Sequence, residues 1–166
     1  MSTAMLGKAS ELEQRERRGI DYLHADVADP DLLEGQSFDA VVCSFGLSDI
    51  DDLDATVSNV RRLLRPGGIF VFAILHPCFP GAEGVSGAWP SDGSYYDERW
   101  WRADGSLSTL RHQVGANHRT LATYLNTLLR HGFQLDQTAE PRPTPERSGN
   151  RPDLSRLPTF LVVRCR

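Results

Sequence analysis

Three polar clusters in this 166-residue chain each follow a short, largely apolar run. Asp26 follows "IDYLHA", Ser44–Asp49 follow "FDAVVC", and His76–Phe79 follow "IFVFAIL". Where such runs are parallel strands, ligands bind beyond their carboxyl ends, so these are the residues placed to touch one. The Asp26 carboxylate can accept hydrogen bonds from a ligand amino or hydroxyl group, or it can cap the turn after it. The spacing fits both equally. Phosphate cradling is not supported: neither GxGxxG nor GxxxxGKS/T occurs, and "GAEGVSG" (Gly81–Gly87) has neither spacing. His76, Cys78 and His112 fit no usual zinc-ligand pattern.

The elements that would position these clusters follow from periodicity. "MSTAMLGKASELEQR" predicts a helix: Ser2 can cap it, Met5, Ala9 and Leu12 share a face, and Gly19 can end it. Glu11–Arg15 and Glu13–Arg17 are supporting i,i+4 pairs. "IDYLHAD" (Ile20–Asp26) predicts a short strand and "FDAVVCSF" (Phe38–Phe45) a second. Leu53, Val57, Val60 and Leu64 then recur at i, i+4, i+7 and i+11, which predicts an amphipathic helix. Asp51, Asp52 and Asp54 crowd its start and Arg61, Arg62 and Arg65 its end, matching the helix dipole. Pro66-Gly67-Gly68 stops it before the apolar strand Ile69–Leu75. Strand, helix, strand without apolar alternation is a βαβ pattern, and continuous apolarity predicts burial on both faces of a mostly parallel sheet flanked by helices.

From His76 to Asn117 periodicity disappears, and the run is rich in Gly, Ser, Asp and aromatics. Its length suits a lid or substrate insertion within one domain spanning 1–166. Trp89, Tyr95, Tyr96, Trp100 and Trp101 could close over a substrate or pin the loop to the core. Beyond it, a helix carries Leu121, Leu125 and Leu128 on one face, and strands are expected at Phe133–Glu140 and Thr159–Cys165 around a Pro-rich connector.

Composition narrows the partners. A formal charge of −4 argues against nucleic acid, which needs concentrated Lys and Arg. Three scattered cysteines form no disulfide framework and suit a reducing cytoplasm. No signal peptide and no bilayer-length apolar stretch are visible, so no membrane is expected.

In order, "SxxMLxKA" at Ser2–Ala9, "AD" at Ala25–Asp26, "SFDAVVCSFGLSDIDDL" at Ser37–Leu53, "RRLLRPGGIFVFAILHP" at Arg61–Pro77 and "HRTLATYLNTLLRHGF" at His118–Phe133 resemble the class I S-adenosylmethionine-dependent methyltransferases, in the small-molecule branch with a Rossmann-like core. The resemblance implies S-adenosyl-L-methionine as cofactor and a small-molecule acceptor. It implies that Asp26 bonds the adenine amino group, that Val27 offers its backbone N–H to the ring, and that Met5 packs on the adenine face. Ser44 and Phe45 would line the methionine end, and His76 would face the acceptor.

The family's first two strands and its glycine-rich turn have no counterpart before "SxxML", so the α/β fold is expected to be N-terminally truncated. A central strand would then have an unpaired edge, which is costly and invites association. A misplaced start or a fragment is the favoured explanation. Direct pairing of Ile20–Asp26 with Phe38–Phe45, or a partner that supplies the edge, such as a second copy, are the others. Methyl transfer needs alignment and exclusion of water, with a general base optional. His76 is the candidate base, with His118, Tyr95 and Tyr96 behind it; the structural alternative is a strand-end histidine bonded to backbone. The functional alternative is a non-catalytic remnant that binds a partner through its open sheet edge.

Overall fold

The computed structural model describes residues 3–148 and 156–166, with backbone alone at 145 and 147. Helix α1 (Thr3–Glu16) forms where the i,i+4 pairs place it but buries none of its residues. The Ser2 cap lies outside the described residues. Ile20–Asp26 does not form the expected strand. The segment is exposed and irregular, with Ile20, Tyr22 and Leu23 facing solvent. An extended segment becomes a strand only when a neighbour takes its backbone hydrogen bonds, and no described strand lies beside it.

The βαβ unit is present. Strand β1 (Phe38–Ser44) leads through a 3-10 turn, η1 (Leu47–Asp49), into helix α2 (Leu53–Leu63), and β2 (Leu64–Leu75) returns parallel to β1. The Asp52 side chain caps α2 by accepting from the Ala55 N–H at 2.9 Å, satisfying one of the donors a helix start leaves free. Phe38 pairs with Leu64 and Ala40 already with Ile69, so Arg65–Gly68 bulge out of the ladder. Two glycines make that bulge possible. Gly67 has φ +79°, and a Cβ on Gly68 would stand 2.9 Å from the Arg65 carbonyl and 3.2 Å from that of Asp39.

Within the stretch 76–117, β3 (Trp100–Trp101), α3 (Thr109–Val114) and β4 (Ala116–Asn117) form a small appendage in which β3 and β4 pair antiparallel. Phe79 and Trp101 anchor it to the core, while Tyr96 and Trp100 face solvent. Helix α4 (Leu121–Arg130), strand β5 (Leu135–Ala139), a short helix α5 (Pro145–Ser148) and strand β6 (Phe160–Cys165) complete the described chain. The main sheet has the order β1-β2-β6-β5. β6 runs antiparallel to both β2 and β5, so the α/β sheet is mixed in direction.

The core is one-sided. Phe70, Phe72 and Ile74 of β2 and Leu161 and Val163 of β6 pack with Leu53, Val57 and Val60 of α2 and Tyr124 and Leu128 of α4. The alternate residues of β2, such as Val71 and Ala73, are only half-buried. β1 departs furthest from the expectation of burial on both faces: Val42 is 70% exposed, and among the described residues only β2 pairs with it. Continuous apolarity marks strands that can be covered on both faces, but covering them takes elements on both sides. α2 and α4 cover one side; α1, with no buried residue, does not seal the other.

Candidate functional site

Parallel β1 and β2 present their carboxyl ends together. Ser44 pairs with Ala73, so Phe45 and His76 emerge at the same end of the sheet. Phe45 takes φ +57°, a left-handed conformation unfavourable for a side chain with a Cβ. Two contacts hold it there: its N–H donates to the Ala73 carbonyl at 2.8 Å, and its ring packs edge-on to Phe160 at 5.3 Å. Backbone strain of this kind collects at functional sites. Ser44, beside it, is exposed.

His76 is 4% exposed and fully engaged. The Cys78 N–H donates to Nδ1 at 3.1 Å, and Nε2 lies 3.1 Å from Glu140 Oε1. A ring nitrogen that accepts a backbone N–H is unprotonated, so the neutral imidazole carries its proton on Nε2 and donates it to the carboxylate. His76 is thus held by a backbone N–H on one side and a carboxylate on the other. His118 and Tyr95 are also tied into structure. His118 Nε2 bonds the Tyr95 carbonyl at 2.8 Å, and the Leu121 N–H donates to the Tyr95 hydroxyl at 2.9 Å. Burial raises the Tyr95 phenol above its ordinary range, which suits a proton still on oxygen.

Asp26 and Val27 reach the site through α2. Asn59 Nδ2 donates to the carbonyls of Val27 and Asp29 at 3.0 and 2.7 Å, fixing the turn after Asp26. Asp26 Oδ1 accepts from the Ala28 N–H at 2.9 Å, so the capping role is realised with one oxygen. The Val27 N–H has no partner among the described residues. Beside it runs an apolar groove of about 350 Å³, bordered by Val27, Leu33, Cys43, Leu47, Ile50 and Val60. Met5 stands 67% exposed on α1. Among the described residues no cluster of His, Cys, Asp and Glu could hold a metal.

Several buried or paired polar residues near the carboxyl ends of β1 and β2 escaped sequence reasoning. Arg119 is buried and donates to the carbonyls of Leu47, Ile50 and Asp51 at 3.0, 2.7 and 2.8 Å. Asn117 Nδ2 bonds the Asp51 carboxylate at 2.9 Å. Arg111 pairs with Asp49 and donates to the Gly115 carbonyl at 3.1 Å. One signal for Arg119 was present: a cation just before the Thr120 cap of α4, the dipole's unfavourable end, implies a compensating reason to be there.

A methyltransferase-domain family profile matches residues 1–72. Among solved structures, an S-adenosylmethionine-dependent methyltransferase from Mesorhizobium loti is similar with TM-score 0.74 and 30% identity, over 99% of this chain and 77% of that one. The glycopeptide N-methyltransferase MtfA, solved with S-adenosylmethionine, is similar in fold with TM-score 0.60 and 14% identity, over 100% of this chain and 69% of that one. A protein from Haemophilus influenzae is 26% identical over 136 residues, 78% of this chain, so the chain spans about half (54%) of that curated relative's length.

Proposed function

This chain belongs to the S-adenosylmethionine-dependent methyltransferases, and we propose that it takes part in transferring a methyl group from S-adenosyl-L-methionine to a small-molecule acceptor in the cytoplasm. The observation that carries this reading is the parallel β1–α2–β2 unit, which sets Phe45 and His76 at one end of the sheet, with Val27 tied alongside by Asn59.

The residues fit the base end of the nucleotide. Asp26 keeps its second carboxylate oxygen for an adenine amino group, and the Val27 N–H is unspent among the described residues. The groove beside them is apolar and at the lower end of the range for small-molecule sites, which begin at roughly 300 Å³. Ser44 and Phe45 would border the methionine end, and Met5 of α1 the adenine face. The bound cofactor would supply an electrophilic methyl group on a sulfonium.

The chain's own part is to align the reactants and exclude water. His76 faces the acceptor side, its proton held on Nε2 against Glu140. It accepts a proton from the acceptor only by giving up the Cys78 N–H at Nδ1. Residues 76–117 form the acceptor-covering insertion of a single domain spanning 1–166. A second reading rests on the open outer side of β1: a non-catalytic protein that joins a partner, or a second copy of itself, through that edge.

Titration calorimetry with S-adenosylmethionine tests the first reading. Asp26→Ala is expected to weaken binding by about tenfold or more, the worth of a hydrogen bond to a charged group. Asp26→Asn preserves the Ala28 cap and separates that effect from local unfolding. An unchanged dissociation constant in Asp26→Ala refutes the assignment. No heat from a chain with a folded circular dichroism spectrum favours the second reading.

A further inference from the structure

A small cavity of about 30 Å³ lies between the η1 turn, the end of β2 and the 76–117 appendage, and its walls include Ser48, Trp101, Arg111, Asn117, Arg119 and Tyr124. Such a space admits one small polar group and no more. Trp101 is 8% exposed and its indole N–H, a donor only, has no partner among the described residues. A buried donor without an acceptor is costly, and native structures seldom leave one without a reason.

Arg119, in the same wall, is 9% exposed. It is met by three carbonyls, and among the described residues it pairs with no carboxylate. Dipoles orient this charge without neutralising it, whereas buried charges are normally paired. Arg111, paired with Asp49, adds a second guanidinium to the wall and donates to Ser48 Oγ at 3.3 Å.

We propose that this cavity receives a carboxylate of the methyl acceptor, so that acceptors of this protein are small carboxylic acids held by Trp101 Nε1–H and the arginine pair. The proposal rests on the acceptor-side assignment made above and names its substrate class. The small volume suits a planar carboxylate better than a bulkier tetrahedral oxyanion, and the negative charge suits the arginines. One carboxylate oxygen would satisfy the Trp101 donor, and its charge would balance Arg119.

The test is an NMR titration of the ¹⁵N-labelled chain, whose three tryptophans give three indole signals. Sodium acetate is expected to shift the Trp101 indole signal saturably, with acetamide at least about tenfold weaker and sodium chloride without effect. An equal response to acetamide overturns the anionic class. A stronger response to inorganic phosphate than to acetate overturns the carboxylate, and no response to any of them overturns the site. Calorimetry with S-adenosylmethionine on the same sample keeps the two readings apart, since lost cofactor heat with an intact acetate response counts against methyl transfer alone.

Discussion

At the scale of single residues, the 76–117 appendage is fastened by a few polar contacts. Glu98 Oε1 accepts from the Thr120 N–H at 2.8 Å and the Thr120 hydroxyl at 2.6 Å, as well as from the Thr123 hydroxyl, and so closes the start of α4. Burial pushes its carboxyl up, but the hydrogen bonds from Thr120 and Thr123 outweigh that and leave it below the ordinary glutamate range. A depressed folded pKa stabilises the charged, folded state. That contribution is complete above the unfolded glutamate value of about 4.3 and is lost as pH falls through the lower folded value. Urea midpoints of the wild type and Glu98→Gln should therefore differ at pH 7 and converge as the pH is lowered below that window; a constant gap would mean the carboxylate charge does not matter there. The same exactness of placement explains why the site was only partly visible beforehand. Asp26, Ser44, Phe45 and His76 follow apolar runs and could be picked out, whereas Arg119 acquires its role from backbone 68 to 72 residues away in the chain, which no local spacing encodes.

At the scale of elements, neighbours in α4 separate packing from propensity. Leu128 is 1% exposed within the core, while Leu129 is 53% exposed. Leu128→Ala should cost about 2–5 kcal/mol through lost burial and an incompletely collapsed cavity, and Leu129→Ala no more than about 0.5 kcal/mol; chemical denaturation of both variants measures the contrast. The face containing Leu121, Leu125 and Leu128 was legible because helical period alone specifies it. So were α2, with its charges matched to the dipole, and the strands at its flanks. Ile20–Asp26 misled because residue type is necessary for a strand but pairing is what makes one. The two-sided burial expected of β1 misled in the same way, since apolarity records what a strand can tolerate and not what packs on it.

At the scale of the whole molecule, β1 is the exposed flank of the main sheet, and Val42 adds an apolar side chain beside backbone groups that no described strand pairs. Such edges pair with other chains unless a charge intervenes. Sedimentation velocity should show concentration-dependent association of the wild type that Val42→Lys reduces; a wild type that stays monomeric across the accessible range would show that this edge does not self-pair. Association would also couple to the groove bordered by Val27 and Cys43, because the same strand forms one of its walls.

The reach of Arg119 has a kinetic consequence. Its three carbonyl bonds span 68 to 72 residues of chain, so forming them closes a long loop at an entropic cost before any local reward arrives. Amide exchange around Leu47–Asp51 should therefore become slow only in the final stage of refolding, when the distant guanidinium docks and locks the turn.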